Sequence, residues 1–411
     1  MFKWLLAWRK PSNRLWATPT IWALLTVGFV FALKLGAAVL PDNWLPDVPV
    51  ETLSALLNII ASSMLAVSTF SLSIMVSAFA SAANGVTPRA TDVVMGDDNT
   101  RTAITSFICA FIYALIAKTA LGMDFYEQNG RFILFISTVA VLVYLIVTLI
   151  RWVYTLSHLG RLGNTLRKIE TVAECALTQY RMAPQMYATR KTSLPTNAQT
   201  ILAECTGYLT HIDMQGLQEI AEENQWDIDI LVRPGELITP DSELCKVSGN
   251  LEDVEALQRC FVLAPERTFE QDPSWGFIVL SEAAQRALSP AVNDPGTAIN
   301  IMTIMLSLLV KPKENVTSDE PCYDRLSIKA LDCKEWIRDG FAPISRDGAT
   351  ILEVNIVMQK VLAGVWRNAP ENEVREAAKA MAISALQRSL QSMEFELDRS
   401  ALSQKHQELF E

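Results

Sequence analysis

Four long apolar runs decide the architecture of this chain. They cover residues 18–40, 52–83, 102–123 and 132–156. A bilayer crossing needs roughly 20 apolar residues, and each run reaches that length. None alternates apolar with polar residues as a membrane strand does, so each predicts a helix that satisfies its own backbone in lipid. At 1.5 Å per residue the second run is about 48 Å long, against a hydrocarbon core of roughly 30 Å. It must tilt or project from the membrane. The expected fold is an α-helical membrane domain of four transmembrane helices, followed by a mixed α+β cytoplasmic domain.

Basic residues at the ends of the runs set the orientation. Lys3, Arg9, Lys10 and Arg14 precede the first run, and Arg89 and Arg101 lie in the second loop. Arg151, Arg161, Arg167 and Lys168 follow the fourth. The first loop, PDNWLPDVPVE, has no Lys or Arg, and the third, DFYEQNGR, has only Arg131. Both termini are therefore expected in the cytoplasm, with the runs in a bacterial inner membrane. The opening MFKWLLAWRK interleaves Phe, Trp and Leu with basic residues, a pattern suited to a helix lying in the inner interface. The expected divisions are 1–157 for the membrane domain, 158–322 for an α+β domain and 323–411 for a helical region.

The net charge of −10 belongs mostly to the part after the spans. That excludes a nucleic-acid partner, since phosphate binding needs clustered Lys and Arg. The partners expected are the lipid bilayer, further copies of the chain and a small anion. The seven Cys show no CxxC spacing and the three His are widely scattered, so no metal and no cofactor is expected.

On the second run Asn58, Ser62, Thr69, Ser73, Ser77 and Ser81 form one slowly drifting stripe. Hydroxyl residues of this kind let helices pack closely, and they also suit a water-filled path. Lys34 and Lys118 sit in the outer parts of the first and third runs. They either snorkel to the interface or face an aqueous path, where they favour anions. Asp42, Asp47, Asp124 and Glu127 lie in the adjacent outer loops as acidic partners.

Beyond the spans, a helix is expected to continue to residue 182, with a loop over 183–198. GYLTHIDMQGLQEIAEENQ reads as a strand, a turn and a short helix. WDIDILVRPGELITPDSELCKV alternates at Ile228, Ile230 and Val232, turns at Pro234-Gly235, then gives two short strands. This piece looks like a small β-barrel of the biotinyl/lipoyl type, without the Met-Lys-Met turn that carries a cofactor there. Ala378, Met381, Ala382, Ala385, Leu386 and Leu390 show the spacing of an amphipathic helix.

Two places share one grammar. Gln271-Asp272-Pro273 and Asn293-Asp294-Pro295 each precede an apolar run. Asp is a strong N-cap, and Pro suits the first helical turn, so helices are expected over 273–288 and 295–310. Capping explains Asp272, Asp294 and the prolines, with Thr297 as a capped amide. It explains Arg267, Glu270, Arg286 and Asn293 less well. Those residues predict either a buried ionic network joining the two caps or an anion or metal site at paired helix N-termini.

GYLTHID, VRPGELITPDSELCKV, ERTFEQDPSWG and RALSPAVNDPGTA, placed after the spans, resemble the bacterial membrane proteins of the DUF2254 family. The family pattern runs ERTxxQDPxFG, then RALSPxxNDPxTA. This chain has Trp275 where Phe is usual and Gly296 where Phe is common. The resemblance implies a topology and no activity. No nucleophile elbow, P-loop, HExxH or Rossmann fingerprint is present, and Glu270, Asp272, Glu282 and Asp294 are the acids that an enzyme would have to converge. No catalytic residue is therefore expected. A homo-oligomeric channel or transport protein with a cytoplasmic regulatory domain fits best. The alternative is a membrane-anchored sensor or scaffold.

Overall fold

A computed structural model describes residues 20, 21, 24–30, 32, 41, 45–85, 87–89, 98–158, 161–189, 198–249, 254–312 and 322–411. Its contacts fall into two compact units, Met1–Thr165 and Leu166–Glu411. The interfacial segment expected before residue 18, most of the first apolar run, and Lys34 lie outside the described residues.

The first unit holds helices α1 (Val50–Gly85), α2 (Asp98–Gly122) and α3 (Gln128–His158). Among the described residues, three helices are long and apolar enough to cross a membrane, over Val50–Ser81, Thr102–Gly122 and Gln128–Leu156. Leu53, Leu57, Ile60 and Met64 of α1 pack inward with Phe107, Ala114 and Leu134. Between α2 and α3, the Tyr113 hydroxyl sits 2.9 Å from Ser137 Oγ and 3.0 Å from Thr138 Oγ1. Opposite that seam, Ile59, Leu65, Phe70, Val143, Ile150 and Val153 point outward. So much apolar surface is stable against lipid tails and unstable in water. The segment before α1 is tied to the start of α3. Asn129 accepts from the Leu45 amide at 3.1 Å, and Arg131 pairs with Asp47 at 2.9 Å.

The second unit begins on α4 (Leu162–Met182). The expected continuous helix is thus two helices, α3 ending at His158 and α4 starting at Leu162. Strands β1 (Ala188–Thr189), β2 (Gln199–Leu202), β3 (Gly207–Ile212), β4 (Ile228–Ile230), β5 (Leu237–Ile238), β6 (Glu243–Val247), β7 (Phe261–Ala264) and β8 (Tyr323–Ile328) follow, with α5 (Met214–Asn224) and α6 (Val254–Gln258) among them. Asp213 caps α5 by accepting from the Gly216 amide at 3.0 Å.

The expected small barrel is not closed. The described strands form a five-stranded sheet, β1-β8-β4-β6-β2, and a three-stranded sheet, β5-β3-β7. β4 and β6 do pair antiparallel, as the alternation suggests. The flank of β4 is then occupied by β8 in parallel, a strand that local pattern cannot assign. One hydrophobic cluster, including Leu209, Leu217, Ile228, Ile230, Val247, Phe261 and Leu326, joins both sheets to α5.

The rest is helical: α7 (Trp275–Leu288), α8 (Pro295–Val310), α9 (Lys334–Asp347), α10 (Leu352–Asn368), α11 (Asn372–Ser392) and α12 (Glu396–Phe410). Of the positions expected on its inner face, α11 buries Ala378, Ala382 and Ala385, while Met381, Leu386 and Leu390 are half-buried and Val374 and Ser389 complete the buried row. A buried polar chain runs through this region. Ser389 donates to Asn355 Oδ1 at 2.7 Å, and Gln359 donates to the Ala382 carbonyl at 3.1 Å.

α12 docks through His406. Its Nδ1 lies 2.8 Å from Gln359 Oε1, and its ring stacks on Phe410 at 4.8 Å. Burial holds the His406 imidazole below its ordinary value, while Glu411 pulls it up. Docking therefore prefers the neutral ring. At high pH both docked and free forms are neutral and the attachment is complete. As pH falls below about 6.5, the free form protonates first and docking weakens. Amide exchange over 396–410 is expected to accelerate at low pH beyond its intrinsic trend, and His406→Gln to remove the excess. The same excess in His406→Gln contradicts this.

Candidate functional site

In the membrane unit the buried face of α1 carries Leu53, Leu57, Ile60, Met64, Met75 and Ala78. Asn58, Ser62, Thr69, Ser73, Ser77 and Ser81 are all on the exposed side. The stripe is thus not the seam between α1 and its own neighbours. Ser62 donates to the Asn58 carbonyl at 2.9 Å and Thr69 to the Leu65 carbonyl at 2.8 Å, which quiets two hydroxyls within the helix. Lys118 on α2 donates to Asn58 Oδ1 at 2.7 Å. Its partner is the stripe itself and not the loop acids expected, one of which, Asp47, pairs with Arg131. Sequence spacing missed Ser68 and Ser71, which are buried on the inner face of α1.

In the second unit three of the quoted motifs meet. The turn at Pro234-Gly235 closes with the Glu236 amide donating to the Arg233 carbonyl at 3.1 Å. Gly235 has φ of +98°, and a Cβ there would strike Asp272 Oδ2 and Arg267 Nη2. Only Gly gives both that backbone and that approach. Asp272 is 2% exposed. Its Oδ2 takes Arg267 Nη2 at 2.6 Å and Nε at 2.8 Å. Its Oδ1 accepts from the Ser274 and Trp275 amides at 3.1 and 3.2 Å, holding the turn that leads into α7. That helix starts at Trp275, with Ser274 and not the expected Asp272 at its N-cap position. Burial pushes the Asp272 carboxyl up, against the opposing pull of Arg267 and the two amides. The Arg267 guanidinium lies over the Trp275 ring at 4.9 Å. Gln271 Oε1 accepts from the Ile212 amide at 2.9 Å, at the end of β3. Glu270 is exposed.

The other expected members stand elsewhere. α7 has 14 residues, so at 1.5 Å each the two Asp-Pro corners are about 21 Å apart at opposite ends. A network joining both caps, or paired N-termini, does not form. Asp294 caps α8 alone, accepting from the Thr297 amide at 3.1 Å and the Thr297 hydroxyl at 2.6 Å. Those bonds hold its carboxyl below the usual range. Asn293 takes a left-handed φ of 49° and turns the chain, its amide donating to the Ser289 carbonyl at 2.8 Å. Arg286 is half-buried in the last turn of α7. Glu282 sits mid-helix, so the four acids named above do not converge. Among the described residues no group of three or more His, Cys, Asp or Glu is arranged to hold a metal.

Two buried arginines escaped sequence reasoning, because their partners are distant in sequence. Arg181 donates to both Glu371 carboxylate oxygens, at 3.0 and 3.1 Å, and to the Leu308, Leu309 and Lys311 carbonyls that end α8. Arg233, 4% exposed, donates to the Lys329 and Pro184 carbonyls at 2.5 and 2.7 Å. Burial pulls its guanidinium below the ordinary value.

A groove of about 420 Å³ opens among α7, α9 and α11, lined by Ser281, Glu282 and Gln285, by Arg338, Asp339, Pro343 and Arg346, and by Arg388.

Two proteins described as uncharacterized, from Mycobacterium tuberculosis (strain ATCC 25618 / H37Rv) and Mycobacterium bovis, are each 23% identical over 403 residues, covering 90% of this chain and 76% of their own length. No solved structure matches. The model of the predicted membrane protein family DUF2254 matches residues 12–364. That span takes in the candidate membrane helices, both sheets and both Asp-Pro corners, and the chain belongs to this family.

Proposed function

We propose that this is a multi-pass protein of the bacterial inner membrane, with both termini in the cytoplasm, that assembles into a homo-oligomeric channel or transport protein under a cytoplasmic regulatory domain. The outward polar stripe of α1 carries this reading. Facing lipid, a row of Asn, Ser and Thr gains nothing. Facing a second copy or a water column, it is satisfied. Lys118, bonded to Asn58, adds a positive charge at one end of that stripe, which favours anions there.

The test is anion flux through the purified full chain in liposomes, together with Ser73→Cys cross-linking in membranes. Cross-linked pairs are expected for Ser73→Cys and not for Val147→Cys, on the apolar outer face of α3. Flux above empty vesicles is expected, and lost in Ser73→Leu and Lys118→Ala. Absence of flux in several ions and pH values sinks the channel. Cross-linking without flux favours the second reading, a membrane-anchored sensor or scaffold, which the arginine-lined groove supports.

A further inference from the structure

We infer that the groove among α7, α9 and α11 binds a soluble, hydroxyl-bearing polyanion: a small molecule with two or more phosphate or carboxylate groups. Its volume of about 420 Å³ lies within the range of small-molecule sites, roughly 300–1,000 Å³. The walls are regular. Residues 278, 281, 282 and 285 share one face of α7, and residues 338, 339, 342, 343 and 346 share one face of α9. Groups on packed helices are held more firmly than groups on loops.

The cations are placed for capture. Arg338 is fixed by Asp339 at 2.8 Å through Nε and by Glu335 at 2.9 Å through Nη2. Arg346 is fixed by Asp347 at 3.0 Å through Nε and by Gln285 at 3.1 Å through Nη2. Each of these bonds uses Nε or Nη2, so the Nη1 edge remains to meet an anion. Anchoring lowers the entropy lost when a guanidinium binds, and its planar fork matches phosphate and carboxylate oxygens. Arg388 lines the same groove from α11 as an exposed side chain.

A second observation points to a ligand. Ser281 lines the groove and is 1% exposed, yet its hydroxyl has no hydrogen-bond partner among the described residues. A buried unpaired hydroxyl is costly and calls for an explanation. Glu282 and Asp339 also line the groove. Arg338, Arg346 and Arg388 line it as three separate guanidiniums, each able to take one anionic group, and ligand hydroxyls meet Glu282 and Asp339. Glu335 and Asp347, which hold two of the arginines, do not line the groove. This site is independent of whether α1 lines a path, because binding is read without flux.

The experiment titrates citrate, tartrate and fructose 1,6-bisphosphate, each bearing hydroxyl and at least two anionic groups, into the detergent-solubilised full chain by calorimetry. A parallel arm compares nanodiscs of phosphatidylglycerol and phosphatidylcholine. Saturable binding of at least one soluble probe is expected. Arg346→Gln and Arg388→Gln each weaken it about tenfold or more, the loss of a charged hydrogen bond. Arg259→Gln, at an exposed pair with Glu255 on α6, leaves it unchanged. Ser281→Ala weakens binding while thermal stability holds or rises, a combination that a purely structural hydroxyl does not give. No binding of any soluble probe at millimolar concentration overturns the inference. So does binding that survives both arginine changes, or a response confined to phosphatidylglycerol. Any of these results leaves the channel test above unaffected.

Discussion

An Asp272→Ala variant is expected to lose about 3–5 kcal/mol of stability in the second unit, because removing one partner of a buried pair strands the other. Arg267 is the stranded partner, its side chain only 17% exposed. The same change removes the cap-like acceptor of the turn into α7, since the Ser274 and Trp275 amides both rest on Asp272 Oδ1. A lost cap adds about 1 kcal/mol. For a unit of this size the melting temperature should drop by roughly 8–24 °C. Thermal unfolding of the full chain, followed by tryptophan fluorescence, reads this directly, because Trp275 lies under Arg267 and Trp336 is bonded to Ser274 at 3.2 Å. Asp272→Asn keeps an oxygen for the amides and loses the charge, so it should fall between. A loss under about 1 kcal/mol in Asp272→Ala, no more than an exposed pair gives, means that the pair does not hold the three motifs together.

Arg181→Ala is expected to be of similar size, about 3–5 kcal/mol, for the same reason at a different joint. Glu371 is left with its carboxylate 10% exposed. The carbonyls of Leu308, Leu309 and Lys311 lose their donors at the end of α8. The joint ties α4, α8 and the start of α11, with Ser307 to Glu170 at 3.1 Å and Lys311 to Glu174 beside it. A double variant separates charge from shape. Arg181→Met with Glu371→Met removes both charges and keeps apolar volume, so it should recover part of the loss, the carbonyls staying unmet. A double variant worse than Arg181→Ala alone contradicts this account.

What the sequence showed was what local chemistry decides. α7 and α8 start near their Asp-Pro pairs because Asp, Pro and the first amides are within three residues of one another. α5 follows β3 for the same reason, through Asp213. The Arg267–Asp272 pair was half visible. The residues were singled out, but the contact with Gly235 depends on a turn from another motif, and Arg286 and Asn293 were grouped with them although α7 holds them apart. The stripe of α1 was legible as a stripe, and its direction was not, since the period of a helix does not say which face its neighbours cover. The groove was invisible for a related reason. Ser281, Arg338 and Arg388 become neighbours only when three helices pack.

The order of the five-stranded sheet sets a timetable. β8, beginning at Tyr323, lies between β1 and β4 and is the last of the eight strands to leave the ribosome. Until it arrives, β4 keeps one edge open and β1 has no neighbour in the sheet. An open edge is a template for pairing with other chains, and contacts between distant residues form slowly. The nascent second unit must therefore wait, with the candidate membrane helices already made, for a strand encoded after α8. Synthesis that pauses before residue 323 prolongs an aggregation-prone intermediate, whereas a pause after residue 328 lets the sheet close.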